Sequence, residues 1–284
     1  MYKITRKKIL APGVVEMDLL APRIAKAHKP GQFLMVMNRE ESERIPLTIA
    51  DSNPQTGEVT IVFLEVGRST IELGEEFKEG DDLFAVVGPL GTPTHIENFG
   101  TVVVMGGGLG VAPIYPICQG LKAAGNRVVT IIGYRRKDIM FWEDKLRSAS
   151  TELIVSTDDG SYGAKGFVTD SLRKLHDEGQ AIDRIIAIGP PVMMRAVSDM
   201  TKPWGVPTWV SLNTIMVDGT GMCGGCRVEI GKESKFVCVD GPDFDAHIVN
   251  WDEMFARMRV YTAEERAAVL ANHQCKLHLD NLKR

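Results

Sequence analysis

No stretch of the 284-residue sequence is apolar for long enough to cross a bilayer. Its opening residues, MYKITRKKILAPG, carry charge without the apolar centre of a secretory leader. The expectation is a cytoplasmic protein with no membrane partner. Positive charge is not in excess either: 33 Lys and Arg stand against 37 Asp and Glu, a formal net charge of −4. A general nucleic-acid binder would present a basic face, so none is expected here. Repeats, low-complexity tracts and long charge runs are also missing. With 44% hydrophobic and 25% charged residues the chain reads as globular, long enough for about two domains. Cysteine is scarce, at five residues, but unevenly placed. Cys223, Cys226 and Cys238 share one loop, whereas Cys118 and Cys275 lie apart and read as packed thiols.

That loop, Val217–Val239, reads VDGTGMCGGCRVEIGKESKFVCV. Gly219, Gly221, Gly224 and Gly225 surround the first two cysteines and let backbone wrap closely around a charged group. Disulfides fit poorly with a chain that nothing marks as secreted. A structural zinc would want a fourth Cys or His close by, and the nearest histidine is His247. Plant-type [2Fe–2S] frames use C-x4-C-x2-C and a distant fourth cysteine. Five residues before Cys223 stands Asp218, giving D-x4-C-x2-C-x11-C, a cluster frame with a carboxylate in the first position. Asp-Gly is also a common turn pair, so Asp218 has a plain reading as well. Cluster and zinc both remain open on this pattern.

The hydrophobic period changes near residue 100. Before it, short β-rich runs (Val14–Leu20, Phe33–Met37, Leu47–Ala50, Val59–Leu64, Leu83–Val87) alternate with Gly/Pro/Asn turns, and Thr70–Phe77 reads as a helix. Even spacing of short strands predicts an antiparallel barrel or sandwich. After it, continuous apolar strands (Thr101–Met105, Val128–Tyr134, Leu153–Ser156, Ile185–Ile188, Thr208–Val210) alternate with helical stretches. Those stretches are Val111–Ala124, Phe141–Ala149, Phe167–Leu175 and Val192–Met200, and the alternation predicts a parallel α/β sheet. From Trp251 a helical tail is expected, with no chemistry legible in it. The implied division is 1–98, 99–211, 212–250 and 251–284.

Ligands of such a sheet bind at the carboxyl ends of its strands. Three loops fall there: Gly106-Gly107-Gly108-Leu109-Gly110-Val111, then Asp158-Asp159-Gly160, then Gly189-Pro190-Pro191. Glycines allow a pyrophosphate close to the backbone, and a following helix offers N–H donors, although Val111 departs from the strict dinucleotide fingerprint. In the first part, Arg44-Ile45-Pro46-Leu47-Thr48 offers a guanidinium for a pyrophosphate and a hydroxyl for a flavin edge. Gly67-Arg68-Ser69-Thr70 opens a helix and offers a second anion site. Arg135 and Arg136 could meet a 2′-phosphate, but Asp138 beside them would repel it.

The order R-x-P-L-T, V-G-x-S-T, G-G-G-L-G-V-A-P, G-P-P-V-M-M and then the cysteine loop resembles the ferredoxin-reductase superfamily. Within it, the chain is similar to the branch holding the electron-transfer subunit of dihydroorotate dehydrogenase. The stretch SLNTIMVDGTGMCGGCRV resembles small subunits of NADH-dependent ferredoxin:NADP oxidoreductases, electron-bifurcating enzymes also called sulfide dehydrogenases. This resemblance covers roughly residues 1–250.

The resemblance implies α/β architecture with an all-β N-terminal part: an FAD-binding barrel, a nicotinamide domain and a C-terminal [2Fe–2S] module. It assigns Arg44, Pro46, Leu47 and Thr48 to FAD, with Thr48 steering the flavin, and Gly67, Ser69 and Thr70 to its phosphates. Gly107, Gly108 and Gly110 would shape the NAD(H) site, with Asp158, Asp159 and Gly189 at its border; Asp218, Cys223, Cys226 and Cys238 would ligate iron. Many relatives place a cysteine where this chain has Ile188. The implied partner is a larger subunit with its own FAD and [4Fe–4S] clusters, through which ferredoxin and NADP react. Rival expectations are a dihydroorotate dehydrogenase or cytosolic hydrogenase subunit and, in a different class, a zinc-stabilised nucleotide-binding regulator.

Overall fold

A computed structural model describes residues 1–271. The chain up to Leu90 forms β1 (Tyr2–Ala11), β2 (Val14–Leu20), β3 (Phe33–Met37), β4 (Arg44–Asn53), β5 (Glu58–Leu64), β6 (Asp82–Leu83) and β7 (Ala85–Leu90). They pair antiparallel in the order β6-β1-β2-β5-β4-β3-β7. The two edges of this sheet, β6 and β7, are separated in sequence by Phe84 alone. The sheet must therefore curl until its edges meet, and the Phe84 N–H donates to the Asn38 carbonyl at 3.1 Å. The interior is apolar, with Met17, Leu34, Val36, Ile49, Ile61 and Phe63 at its centre. The period-2 alternation of β3 sends Leu34 and Val36 inward and Phe33 and Met35 outward, into the core of the rest of the molecule.

The second half begins with the parallel strands β8 (Thr101–Gly107), β9 (Arg127–Tyr134), β10 (Glu152–Thr157), β11 (Ala164–Lys165), β12 (Arg184–Ile188) and β13 (Thr208–Ser211). A hairpin, β14 (Arg227–Ile230) and β15 (Glu233–Phe236), follows, and β16 (Asp243–Asp245) then returns antiparallel to β13. The large sheet is ordered β11-β10-β9-β8-β12-β13-β16. Its strands read as continuous apolar runs because helices cover both faces. Helices Val111–Ala123 and Glu143–Ala149 pack on one face, and Val168–Asp177 and Pro191–Thr201 on the other. That second face runs without interruption into the hairpin residues Val228 and Ile230, into Val237 just after the hairpin, and into the tail residues Trp251 and Met254.

Several short elements went unread in the sequence, among them β11, β16 and helix Pro22–Ala27, and β1 and the hairpin show the physical reasons. The strand β1 is rich in Lys and Arg and buries only Ile4 and Ala11, so its apolar period is faint. The hairpin β14–β15 is four residues a side and alternates only weakly. The helix expected from Phe141 starts at Glu143, because Trp142 takes a left-handed conformation (φ 59°). In the tail, helix Trp251–Met258 is followed by helical backbone over 262–271. Cys275 lies outside the described residues, and Cys118 is a fully buried thiol as expected.

Candidate functional site

Alternation along β4 sorts the Arg44–Thr48 segment into two faces. Arg44, Pro46 and Thr48 stand opposite Met37, Met35 and Phe33, so they lie on the outer face of the barrel. Leu47 stands opposite Leu34 and is buried in the barrel interior, where it anchors the strand rather than lining the outer surface. Arg44 is exposed and Thr48 half-buried, and neither side chain has a hydrogen-bond or ion-pair partner among the described residues. Helix Arg68–Glu76 begins with Gly67 as its N-cap. The Thr70 hydroxyl accepts the Gly67 and Val66 N–H groups at 3.0 and 3.2 Å, and the Ser69 hydroxyl donates to Glu43 Oε1 at 2.6 Å. Both hydroxyls are engaged within the chain. What remains for an anion is the Arg44 guanidinium and the open N–H groups of the helix's first turn.

The large sheet reverses its winding between β8 and β12, and the crevice at that switch point is where an open α/β sheet binds ligand. The glycines there do different jobs. A Cβ on Gly110 would strike the Ile188 carbonyl and come within 2.9 Å of Gly189 Cα. A Cβ on Gly107 would strike Met193 Sδ, and one on Gly189 would come within 3.1 Å of Gly107. These three let the two loops close on each other. Gly108 (φ +54°) has nothing within 4 Å of where its Cβ would be, so it presents bare backbone to the crevice. Ile188, paired with Gly106, is buried in this junction.

Asp158 and Asp159 are exposed at the end of β10. Their N–H groups reach the carbonyls of Tyr134 and Arg135 at 3.0 and 3.3 Å, tying this loop to the end of β9. The Ser161 hydroxyl and N–H hold the Asp159 carboxyl below the usual carboxylate range, with Arg136 adding to the effect. Arg136 itself pairs with Asp138 at 3.0 Å, while Arg135 has no ion pair among the described residues.

The x11 spacing of the last two cysteines is a hairpin. Cys226 enters β14, Gly231 (φ +64°) turns the chain, and β15 returns it so that Arg227 pairs with Phe236. Cys238 then lies in the short helix that follows, its sulfur 3.3 Å from that of Cys226. Burial first, and then Cys226, push the Cys238 thiol up to about 12, so the pair keeps a proton unless a cation neutralises it. Asp218 accepts the Thr220 N–H at 2.8 Å and the Cys223 N–H at 2.7 Å. Thr220 leads these bonds in holding its carboxyl low, and the Cys223 thiol also reaches it.

Among the described residues no three such side chains converge as around a single ion. Four donors set as two pairs suit a binuclear group, with one pair for each metal, better than one tetrahedral zinc. The tail, expected to carry no chemistry, reaches this loop: Arg257 donates to the Gly225 carbonyl at 3.2 Å. The spacing of Glu253 and Arg257, an i,i+4 ion pair at 3.6 Å, was the available signal.

A barrel with an unpartnered arginine, a switch-point crevice and a paired-thiol loop define the class: an electron-transfer subunit of an oxidoreductase. Family models match at residues 104–199 as an oxidoreductase NAD-binding domain and at 213–250 as the iron–sulfur cluster binding domain of dihydroorotate dehydrogenase B. A Thermotoga maritima dihydroorotate dehydrogenase B electron transfer subunit homolog is 46% identical, over 94% of this chain and 93% of its own. The Geobacillus thermodenitrificans electron transfer subunit is 31% identical, over 86% of this chain and 95% of its own. A solved chain of the NADH-dependent reduced ferredoxin-NADP oxidoreductase, described for flavin-based electron bifurcation, superposes with TM-score 0.91. It is 43% identical and covers 95% of this chain and 97% of its own. The chain belongs to the dihydroorotate dehydrogenase B electron-transfer subunit family.

Proposed function

We propose that this chain is the NAD(H)-side subunit of a flavin-based electron-bifurcating ferredoxin:NADP oxidoreductase. The observation that carries the reading is Asp218, a carboxylate seated beside Cys223 in a frame whose other three donors are sulfur. The 43% identity with the bifurcating enzyme's chain supports it. Asp218 also argues against the dihydroorotate role, for which an all-sulfur frame is expected. Bound together, FAD and a [2Fe–2S] cluster would turn the two-electron hydride chemistry of NADH into single-electron transfer.

The chain's own residues bind and orient. Arg44 and the first turn of helix Arg68–Glu76, through the N–H groups of Ser69 and Thr70 beyond Gly67, hold the FAD pyrophosphate. Pro46 and Thr48 face the flavin ring, with Thr48 donating or accepting at its edge, and Leu47 fixes the strand from inside. Gly108 admits the nicotinamide nucleotide, Gly107, Gly110 and Gly189 set the shape of the crevice, and Asp158 and Asp159 border it. The similarity to the NADH-dependent enzyme favours NAD here, while Arg136 is paired to Asp138 and Arg135 has no ion pair among the described residues. Asp218, Cys223, Cys226 and Cys238 hold iron. The divisions follow at 1–98, 99–211, 212–250 and 251–284.

Cys223 is exposed, and Val217, Met222 and Val239 around it are 57%, 89% and 42% exposed. That apolar rim is where a larger subunit with FAD and [4Fe–4S] clusters docks, taking charge of ferredoxin and NADP. We place the chain in the cytoplasm, where cysteines serve as metal ligands more often than as disulfides.

The test is the anaerobic visible and EPR spectrum of the co-purified complex, wild type beside Asp218→Cys. A one-electron signal after NADH reduction that the substitution shifts supports the reading. An unshifted signal removes Asp218 as a ligand and returns the dihydroorotate role; zinc in place of iron ends the redox reading.

A further inference from the structure

The barrel and the nucleotide sheet meet along an apolar seam, where Ala11, Val14, Ala50 and Val62 of the barrel share a core with Val111, Ala112 and Ile114. Beside the site, helix Val111–Ala123 lies on β4 and the turn Gly108–Gly110 on β5. At the margin of this seam, around Trp142, the contact becomes polar. Among the described residues Trp142 is the only non-glycine at positive φ (59°), a conformation that a side chain with a Cβ adopts against its preference. Glycine would sit there without strain. The backbone is instead held by what the indole does.

The indole Nε1 donates to Glu16 Oε2 at 2.7 Å, across the gap between the two halves. Glu16 is only 3% exposed and is fixed in the barrel wall by Arg6, which also grips Asp18 at 2.6 Å. Lys145 Nζ sits 4.0 Å from the indole centroid and 3.5 Å from Asp51 on β4, the strand that carries Arg44, Pro46 and Thr48. On its other side Trp142 meets Tyr115 edge-on, ring centroids 5.6 Å apart. Tyr115 belongs to the helix that begins at the glycine turn. A cleft of about 680 Å³ opens beside the contact, bounded by Leu10, Met140 and Tyr162, so Trp142 stands at the open margin of the packed seam. A continuous path therefore runs from the barrel wall through Glu16 and Trp142 to Tyr115 and the glycine turn.

We propose that Trp142 is a positioning residue for hydride transfer. Two domains packed along an apolar seam can still rock about it; a directional polar tie at the margin limits that freedom. Hydride transfer requires the donor carbon and the acceptor atom at near-contact distance, and a small rotation between the barrel and the sheet would open that distance. Trp142 is not among the residues proposed to bind nucleotide or flavin. It sets the angle at which the residues that bind them face each other, and the strained backbone is the mark of that requirement. This inference rests on the functional reading above.

The experiment is anaerobic stopped-flow reduction of the flavin in the complex co-purified with its partner, using NADH and its 4-deuterated form. Trp142→Phe keeps a ring for Lys145 and Tyr115 but removes the N–H. The limiting rate should fall about tenfold or more and the deuterium isotope effect rise, with half-saturating NADH changed less than about twofold. Lys145→Met, which cuts the tie to Asp51 without touching buried Glu16, should move both readouts in the same direction by less. Arg195→Gln, which breaks an exposed ion pair with Asp252, should leave both unchanged. A lowered melting temperature with wild-type limiting rates and isotope effects in both tie variants would reduce Trp142 to a structural residue and overturn the proposal. If wild-type flavin is not reduced by NADH at all, the nicotinamide reading fails instead.

Discussion

Gly219 of the cysteine loop lies directly against Met35 of the barrel. A Cβ at position 219 would fall 2.6 Å from Met35 Cγ and 2.9 Å from Leu90 Cδ1. Met35 in turn pairs with Pro46, on the face assigned to the flavin. One side chain thus stands between the proposed flavin strand and the proposed cluster loop, and the glycine is what lets them approach.

Gly219→Ala should unseat this loop. The residue holds φ +75°, so alanine adds backbone strain to the overlap, a combined cost of about 2–4 kcal/mol. Iron and sulfide per chain should fall, and the melting temperature should drop by several degrees, while flavin reduction by NADH persists. Full iron loading at an unchanged melting temperature would show that the loop does not rest on the barrel in this way.

Arg44→Ala tests the flavin strand without disturbing the fold. Because Arg44 has no partner among the described residues, its loss should change stability of the apo-protein by less than about 0.5 kcal/mol. FAD retention is a different matter: losing a charge-assisted pair to pyrophosphate should weaken it by about 1.5–3 kcal/mol. Dialysis followed by flavin absorbance reads this directly. FAD binding as tight as wild type would move the pyrophosphate away from β4.

How far the sequence could be read depended on whether the signal was local. β2 and β3 are strong apolar runs and begin and end where their residues predict. The three glycine and aspartate loops lie at strand ends because parallel strands with intervening helices put them there. The face of Leu47 was not legible, since a five-residue motif does not show which of its members points into a barrel. Nor was the pairing of Cys226 with Cys238, which needs the hairpin register. The Glu16–Trp142 bond spans 126 positions, and no pattern along the chain announces a contact between two domains.

Stability below neutral pH should depend on His28. Burial lowers its imidazole from 6.5 to about 4, with Nδ1 2.8 Å from Ser52 Oγ and Nε2 buried without a partner. Folded His28 is neutral where unfolded His28 takes up a proton, so stability falls as pH drops from about 6.5 to about 4 and then levels. The loss attributable to this group is on the order of 2 kcal/mol. Asp243 acts in the opposite sense: burial raises its carboxyl, so its contribution is present at low pH and lost as pH rises through the raised value. His28→Gln should therefore steepen nothing and flatten the acid side, narrowing the gap to wild type at pH 4.5 relative to pH 7.5. Parallel melting curves for the two proteins across that range would exclude a buried neutral histidine.

The two glycines of the nucleotide turn should respond differently to alanine. At Gly110 the new methyl meets the Ile188 carbonyl and Gly189 Cα, both backbone, so one loop has to move. Overpacking of this kind costs about 1–3 kcal/mol, and because it pries apart the walls of the crevice it should weaken NADH binding along with stability. At Gly108 the methyl meets nothing, and the only intrinsic penalty is the positive φ of 54°, about 1 kcal/mol. That methyl would, however, project into the space proposed for the nucleotide. Gly108→Ala should thus melt within a few degrees of wild type and yet raise the NAD dissociation constant at least about tenfold. Titration of the oxidised complex with NAD, alongside thermal melts of both variants, separates the two. If Gly108→Ala binds the nucleotide as wild type does, the pyrophosphate lies elsewhere on the sheet edge and the crevice at the switch point is only a packing seam.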